Sequence, residues 1–293
     1  MRVTDRMIFD GALRSTLQAR VRADRAALVA GTGVRVAHPG DDPAAMGGVV
    51  AGRSAEARFE SIRKVADGAR DELVQADAAL GSVSTMVRRV EQLAIQLANG
   101  SYDADARAAG AHEVEALIAG VTAALDGKYG DRYLFGGNTP DVPPFAADGT
   151  FQGGAGARSV EIAPGVFEDV APDAGRAIAG AGGGTDVLAA MRALAAALAA
   201  NDGDAVQGQI AGLGAGLKQI AAERARIGGS VAVLESASAA ALEARDGAKA
   251  QVAGLTEADV VAAASELALS QRALEAALAA ASESFRLSLL DKF

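Results

Sequence analysis

The chain has no cysteine and no tryptophan, and it has only two histidines, His38 and His112. Without cysteine there is no disulfide, no thiolate nucleophile and no zinc knuckle. Two histidines are too few for a histidine-rich metal site. Acidic residues outnumber basic ones, 37 to 28, and aromatic residues make up only 4% of the sequence. Because nucleic-acid binders are typically basic, nucleic acid is not an expected partner.

Long apolar runs are also missing. No stretch of the sequence approaches the roughly 20 apolar residues that a membrane-spanning helix needs. The N-terminal segment, residues 1–10, contains Asp5 and Asp10 and lacks the apolar centre of a Sec signal peptide. We therefore expect no membrane insertion. Cytoplasmic residence is the default, unless an uncleaved signal of another type directs export.

Proline is confined to one part of the sequence. All seven prolines lie between residues 39 and 172, so residues 44–139 and 173–293 contain none. Because proline interrupts helices, these two stretches are free to be helical. The 72 alanines, about a quarter of the 293 residues, favour helices but bury little apolar area each. The composition predicts long, thinly packed helices rather than a thick globular core.

Both proline-free stretches have the apolar spacing of a coiled coil. Steps of three and four residues alternate through Phe59, Ile62, Ala66, Ala69, Leu73, Ala76, Leu80, Val83, Val87, Val90, Ala94 and Leu97. The second stretch repeats this spacing at Ile210, Leu213, Leu217, Ile220, Arg224, Ile227, Val231, Leu234, Ser238, Ala241, Arg245, Ala248, Val252 and Leu255. Its polar members, Arg224, Ser238 and Arg245, are of the kind that fixes helix register at a cost in stability.

Residues that start and stop helices divide these stretches. Gly31–Gly33 should end the first helix, and Asp42 with Pro43 should begin the next as N-cap and first helical residue. Asn99–Gly100 should end the long helix, and Ser101 or Asp103 should cap the one that follows. Thr256 should cap the last helix, with Asp259 completing a capping box.

Both ends of the sequence are amphipathic. The first helix has an apolar stripe at Leu13, Leu17, Val21 and Leu28. The last has one at Leu267, Gln271, Leu274, Leu278, Ala281 and Phe285, and Leu289 and Leu290 follow. Such stripes need a partner, because isolated helices gain most of their stability from packing. The two terminal helices can pair with each other or with the same helices of neighbouring copies, as in the subunit of a polymer.

The middle of the sequence differs from both arms. Phe145–Phe151 contains an Asp-Gly turn between two short extended pieces, and Arg158–Ile162 alternates polar and apolar residues as a strand does. Gly180–Gly184 is typical of a flexible linker. The predicted fold is mainly α, a long-helix coiled-coil rod with a small β-rich insert. Its segments are an N-terminal assembly helix (1–40), an N-terminal arm (41–130), the insert with its linker (131–185), a C-terminal arm (186–255) and a C-terminal assembly helix (256–293).

Several motifs together resemble the bacterial flagellin-type axial proteins. The stretch 28–44 is similar to their N-terminal signature, and Asp41-Asp42-Pro43 is closer to the hook-associated protein 3 family than to flagellin, where alanine typically follows the two aspartates. The segment 130–137, with Arg132, Tyr133 and Phe135, resembles that family's aromatic motif. The segments 224–228, which includes Arg226, and 288–291 also resemble the family. The resemblance covers residues 1–145 and about 205–293.

The resemblance implies a flagellin-like fold and a structural role at the hook–filament junction. It implies contacts with the first hook-associated protein, with flagellin and with other copies of the same protein. It also implies export through the flagellar type III channel with an uncleaved N-terminal segment, and a chaperone on the C-terminal helix. The expected location is therefore extracellular. Flagellin itself is the alternative within this class, and a cytoplasmic coiled-coil interaction protein is the alternative outside it.

Enzymatic interpretations of the sequence are weaker. The carboxylates of Asp41 and Asp42 precede a proline at a helix start, where acidic residues usually cap the helix. The glycine-rich segments 153–156 and 182–184 lack the Gly-Lys-Ser/Thr of a phosphate-binding loop. No pattern combines a nucleophile, a base and an orienting group. We therefore expect no enzyme activity, no cofactor and no metal site.

Overall fold

The computed structural model describes residues 2–146, 149–154, 156 and 158–290, apart from the side chains of residues 2–6, 8 and 284–290. Within this part, seven helices and four short strands follow one another in sequence. The helices are α1 (Arg2–Thr32), α2 (Pro43–Leu97), α3 (Ala104–Leu125), α4 (Ala174–Ala177), α5 (Val187–Ala199), α6 (Gly203–Thr256) and α7 (Val260–Leu290). The strands are β1 (Lys128–Tyr129), β2 (Arg132–Tyr133), β3 (Ser159–Ala163) and β4 (Val166–Asp169). The predicted mainly α fold is confirmed.

The protein divides into two compact units. Residues 1–57 and 245–293 form unit 1, and residues 58–244 form unit 2. Unit 1 contains the packed pair of α1 and α7, and unit 2 contains the packed pair of α3 and α5. The two ends of the polypeptide therefore belong to the same unit although they are far apart in sequence.

The core of unit 2 is built on the predicted seam of α2. Every seam residue from Ile62 to Leu97 is buried, and only Phe59, at the start, is partly exposed. On α6 the residues Leu213, Ile220, Ile227 and Leu234 are fully buried in the same apolar cluster. The cluster also takes in α3 and α5 through Val114, Val121, Leu194 and Leu198. The alternating spacing of three and four residues therefore predicted the residues named above from α2 and α6, but not those that α5 adds to this core.

Two of the three polar seam residues connect α6 to α2. The guanidinium of Arg224 donates two hydrogen bonds of 2.8 Å to the carboxylate of Asp77. The hydroxyl of Ser238 donates to Asp67 Oδ1 at 2.6 Å. Both acceptors lie on α2, so these bonds fix the position of one helix along the other. Arg245 instead donates to its neighbour Asp246 on its own helix.

The helix boundaries follow the predicted caps with one correction. Asp42 accepts a hydrogen bond from the N–H of Ala45 as α2 begins, and Asp103 accepts one from Ala106 as α3 begins. Thr256 is instead the last residue of α6, and its hydroxyl bonds back to Val252 O. Asp259 caps α7, because its carboxylate accepts from the N–H groups of Val261 and Ala262. Asp259 is a better cap than Thr256, because the N–H groups of Val261 and Ala262 that follow it are available to its carboxylate.

The insert between the arms consists of small pieces. The strands β1 and β2 pair, β3 and β4 pair, and Phe145 bridges Phe151 at the predicted Asp-Gly turn, of which residues 147 and 148 lie outside the described residues. The predicted strand over 158–162 corresponds to β3. The segment expected as a flexible linker, 180–184, forms a hydrogen-bonded turn, with Gln219 holding both the N–H and the carbonyl of Thr185. The segment 186–255 forms two helices, separated by a turn at residues 200–202.

Substitution of two glycines on α2, Gly52 and Gly47, can test how closely α2 and α6 pack in unit 1. A Cβ on Gly52 would lie 2.5 Å from Val252 Cγ2, whereas a Cβ on Gly47 would meet nothing within 4 Å. We expect Gly52→Ala to lower the free energy of unfolding by about 1–3 kcal/mol, because the stiff valine cannot move aside. Gly47→Ala should raise it by about 0.5–1 kcal/mol, because alanine is the better helix former. Urea unfolding measures both, and equal effects would contradict the close approach.

Candidate functional site

The terminal helices α1 and α7 pair through small residues. Ala26 and Val29 of α1 lie beside Ala263 and Glu266 of α7, so the end of one helix meets the start of the other and the pair is antiparallel. On α1 the seam residues Ala12, Thr16, Ala19, Ala23, Ala26 and Ala30 are buried or half-buried, and Val29 next to them is half-buried too. On α7 the buried or half-buried residues are Ala263, Leu267, Ser270, Leu274, Ala277 and Ala281. Both sets step by four and three residues, which is coiled-coil spacing.

The larger apolar residues of α1 point away from this seam. Leu13, Leu17, Val21 and Leu28 are 46%, 52%, 67% and 59% exposed. At about 100° per residue, their stripe lies about 140° around the helix from the alanine seam. The stripe expected to form the assembly surface is therefore left uncovered by α7. Isolated exposed leucines are ordinary on protein surfaces, but a row of four on one helix face is typical of an interaction site.

The predicted residues of α7 divide between the two faces. Leu267 and Leu274 are half-buried in the seam with α1, whereas Leu278 is exposed. The side chains of Phe285, Leu289 and Leu290 lie outside the described residues. Sequence reasoning missed Val260, Val261 and Leu269, which are also large, apolar and exposed on this helix. For Val261 and Leu269 the signal was present in the sequence, because neither fits the spacing of the seam.

The loop between α1 and α2 is bound to the junction between α6 and α7. The N–H groups of Arg35 and Val36 both donate to the carbonyl of Thr256, and Ala258 donates back to the carbonyl of Gly33. The guanidinium of Arg35 adds a hydrogen bond to Leu255 O at 2.9 Å. We call residues 33–42 the clasp loop. It ties the two helix connections of unit 1 together mainly through backbone bonds.

The Asp41-Asp42-Pro43 motif shapes this clasp loop. Asp41 Oδ2 accepts from the N–H groups of His38 and Ala37, and its Oδ1 accepts from Arg25. The two backbone bonds, in that order, are the main reason that the pKa of Asp41 is lowered. The pKa of Asp42 is also lowered, first by its hydrogen bond from Arg35 and then by the helix-capping bond from Ala45. Pro43 is the first residue of α2, as predicted.

The aromatic motif meets α2 through a buried carboxylate. Glu72 is only 7% exposed and accepts hydrogen bonds from the guanidinium groups of Arg132 and Arg158. The ammonium of Lys128 lies 4.3 Å from the ring centre of Tyr133, and Phe135 is fully buried in the core of unit 2. These residues therefore anchor the insert on the helices of unit 2. Glu72 itself escaped the sequence analysis, because it lies beside the seam rather than in it.

A second buried carboxylate holds Arg226. Glu223, 6% exposed, accepts from Arg226 at 2.7 Å and from the N–H of Asp173 at 2.8 Å. The guanidinium of Arg226 also donates to Ala171 O at 2.8 Å. The signature residue Arg226 thus attaches the segment entering α4 to α6. Its pKa is raised, chiefly by the hydrogen bond to Glu223.

The described residues contain no group of three or more carboxylates and histidines that could hold a metal ion. The imidazole of His112 lies 3.4 Å from the carboxylate of Glu115 on its own helix, and both residues are exposed. Across the same part of the protein, none of the helices is both long and apolar enough to cross a membrane. The residues of the family-like motifs lie in the three contacts described above, at the clasp loop, at Glu72 and at Glu223. They do not line one pocket.

Acid should loosen the clasp loop through Asp41. Because the pKa of Asp41 is lower in the folded protein than in the unfolded state, its stabilising effect is complete above the unfolded pKa and is lost as the pH falls through the folded one. We expect Asp41→Asn to be less stable than wild type at neutral pH, with the difference shrinking below about pH 4.

Urea unfolding at a series of pH values measures this difference. Asp24→Asn is the control, because it removes an exposed carboxylate of α1 that lies 3.9 Å from Arg20 on the same helix. The control should keep the acid dependence of the wild type. A difference between Asp41→Asn and wild type that does not change with pH would show that the charge of Asp41 has no role.

Known proteins resemble this one in both sequence and fold. Residues 12–139 match the bacterial flagellin N-terminal helical region. The sequence is 24% identical over 314 aligned residues to flagellar hook-associated protein 3 of Escherichia coli (strain K12), covering 99% of this chain and 98% of that protein.

Solved structures give the same picture of the fold. A flagellar hook-associated protein from Vibrio parahaemolyticus superposes with a TM-score of 0.68 at 19% identity, covering 74% of this chain and all of that one. Bacillus cereus FlgL superposes with a TM-score of 0.59 at 20% identity, covering 68% of this chain and 97% of its own. The resemblance inferred from the sequence motifs is confirmed. The protein is similar to flagellar hook-associated protein 3 along nearly its whole length, and its N-terminal part matches the flagellin N-terminal helical region.

Proposed function

We propose that this protein is a structural subunit of the bacterial flagellum that connects the hook to the filament. The observation that carries the proposal is the α1–α7 pair, in which α1 contributes mainly alanines to the contact and leaves the larger residues Leu13, Leu17, Val21 and Leu28 exposed. A protein that acts alone gains nothing from this arrangement, whereas a subunit can bury the stripe against its neighbours. Similarity to hook-associated protein 3 over 99% of the sequence supports the junction rather than the filament as its place.

The specific partners follow from this position. We propose that the protein contacts the first hook-associated protein on one side, flagellin on the other, and further copies of itself around the axis. Export proceeds through the flagellar type III channel without cleavage of the N-terminal segment, and an export chaperone covers the C-terminal helix. The role is structural and not enzymatic, and the protein resides outside the cell.

Localisation on intact flagella tests the proposal directly. Gold-labelled antibody against the purified protein should mark one narrow zone at the base of the filament in electron micrographs. Label along the whole filament would instead identify the protein as a flagellin, an alternative that the match to the flagellin N-terminal region favours. Absence of label from sheared appendages, with the protein found in the cytosol, would contradict any flagellar role.

The exposed stripe of α1 gives a second test. Leu17→Glu combined with Val21→Glu should leave the monomer folded, because both residues are more than half exposed. Incorporation into flagella should fall about tenfold or more, since charged residues cannot replace apolar ones in a buried contact. Motility and the number of attached filaments measure this effect in cells that carry only the variant.

A matched variant separates the stripe from charge alone. Gln18→Glu adds a negative charge next to Leu17, at an exposed position of α1 outside the stripe. It should support normal filament attachment. Loss of attachment in this control, or full attachment in the double variant, would show that the stripe is not an assembly surface.

A further inference from the structure

The turn between α2 and α3 contains an Asn-Gly pair, Asn99–Gly100, and both residues are exposed. The sequence has only two other asparagines, Asn138 and Asn201. An asparagine followed by glycine can react with its own backbone, because the nitrogen of the next residue can attack the carbon of the asparagine amide. The surroundings of the three asparagines decide which of them is set up for this reaction.

The amide of Asn99 is folded back over the turn. Its Oδ1 accepts hydrogen bonds from the N–H of Ser101 at 3.1 Å and from the hydroxyl of Ser101 at 2.7 Å. The bond to the N–H two residues ahead closes a ring that contains both Asn99 Cγ and the nitrogen of Gly100. The electrophile and the nucleophile are therefore held in one turn. Both donors also point at the oxygen on which negative charge develops during the attack.

The nucleophile of this pair is also free to react. Among the described residues, the N–H of Gly100 donates to no acceptor. The equivalent group after Asn138, the N–H of Thr139, donates to Gly136 O at 3.1 Å. The one after Asn201, the N–H of Asp202, donates to Ala197 O at 3.0 Å. Only at Asn99 can the backbone nitrogen lose its proton without breaking a hydrogen bond.

Arg107 activates the same peptide bond. This residue is buried, 7% exposed, and its guanidinium donates to Leu97 O at 3.0 Å, to Asn99 O at 3.3 Å and to Asn201 Oδ1 at 2.6 Å. In the described part of the protein its partners are all neutral, so its positive charge is not balanced by a carboxylate in contact. When the N–H of Gly100 loses its proton, the negative charge spreads to Asn99 O. The guanidinium and the N–H of Tyr102, which also donates to Asn99 O at 3.3 Å, stabilise that charge.

We propose that Asn99–Gly100 is a self-modification site at which the folded protein converts its own asparagine to aspartate and isoaspartate. The nitrogen of Gly100 gives its proton to water and forms a bond to Asn99 Cγ, the bond between Cγ and the amide nitrogen Nδ2 breaks, and ammonia leaves with a proton. The resulting succinimide is then hydrolysed by one water molecule at either carbonyl. No other reactant is needed. In the isoaspartate product the free carboxylate is formed from the backbone carbonyl of Asn99, the group to which Arg107 donates, so it supplies the charge that this buried guanidinium lacks.

The purified full-length protein, incubated in neutral buffer at physiological temperature, tests the proposal. Trypsin separates the three asparagines into the peptides 90–107, 133–158 and 193–218, and mass spectrometry follows the amide-to-acid conversion in each. Conversion at Asn99 should be at least about tenfold faster than at the other two, a difference of about 1.4 kcal/mol in activation free energy. Equal rates in the three peptides would overturn the proposal.

Two comparisons separate activation by the fold from the reactivity of any Asn-Gly pair. The same measurement in urea removes the contacts of Ser101, Tyr102 and Arg107, and it should slow conversion at Asn99. Ser101→Ala, at an exposed position, should slow conversion severalfold in the folded protein and have no effect in urea. An Asn99 rate that is unchanged or higher in urea would show that the turn protects the asparagine and would overturn the proposal.

Discussion

The packing of helices through small residues constrains the rest of this structure. Alanine lets two helices approach closely but buries little apolar area, so each turn of contact contributes little. Contact between α1 and α7 is accordingly spread over several turns, from Ala12 to Ala30 and from Ala263 to Ala281. In unit 1 the same constraint means that α1 and α7 can pair while Leu13, Leu17, Val21 and Leu28 of α1 stay outside the contact.

Apolar side chains alone specify the register of two long helices poorly, and polar contacts between α2 and α6 supply what they lack. Arg224 with Asp77 and Ser238 with Asp67 allow one alignment of α6 along α2, since a shift by one turn would separate both pairs. Glu72 and Glu223 do the same for the insert, each holding guanidinium groups in a largely buried setting. Breaking such a pair leaves a charge without its partner, so these contacts select the native alignment more than they add to stability.

The helical fold could be predicted well because its signals in the sequence are local and periodic. The α2 seam, the caps Asp42 and Asp103, and the end of the first helix near Gly33 depend on neighbours in the sequence. The predictions that were wrong or incomplete concerned features that depend on competition between neighbouring residues or on contacts distant in sequence. Asp259, and not Thr256, caps α7. The stripe on α1 stands out in the sequence because its residues are large. The alanine seam on the other side of α1 has equally regular spacing, but alanine has low hydrophobicity, so a search for apolar stripes overlooks it.

The pairing of α1 with α7 also bears on how such a protein reaches its place. The two helices are separated by more than 200 residues, so α1 cannot find its partner until the end of the polypeptide has been made. Contacts this distant form late, because a long loop must close first. During synthesis α1 therefore remains without its partner helix until α7 has been made. Under the proposed function this delay suits a subunit that passes unfolded through a narrow channel. The absence of cysteine removes the one covalent bond that could trap a folded form too early.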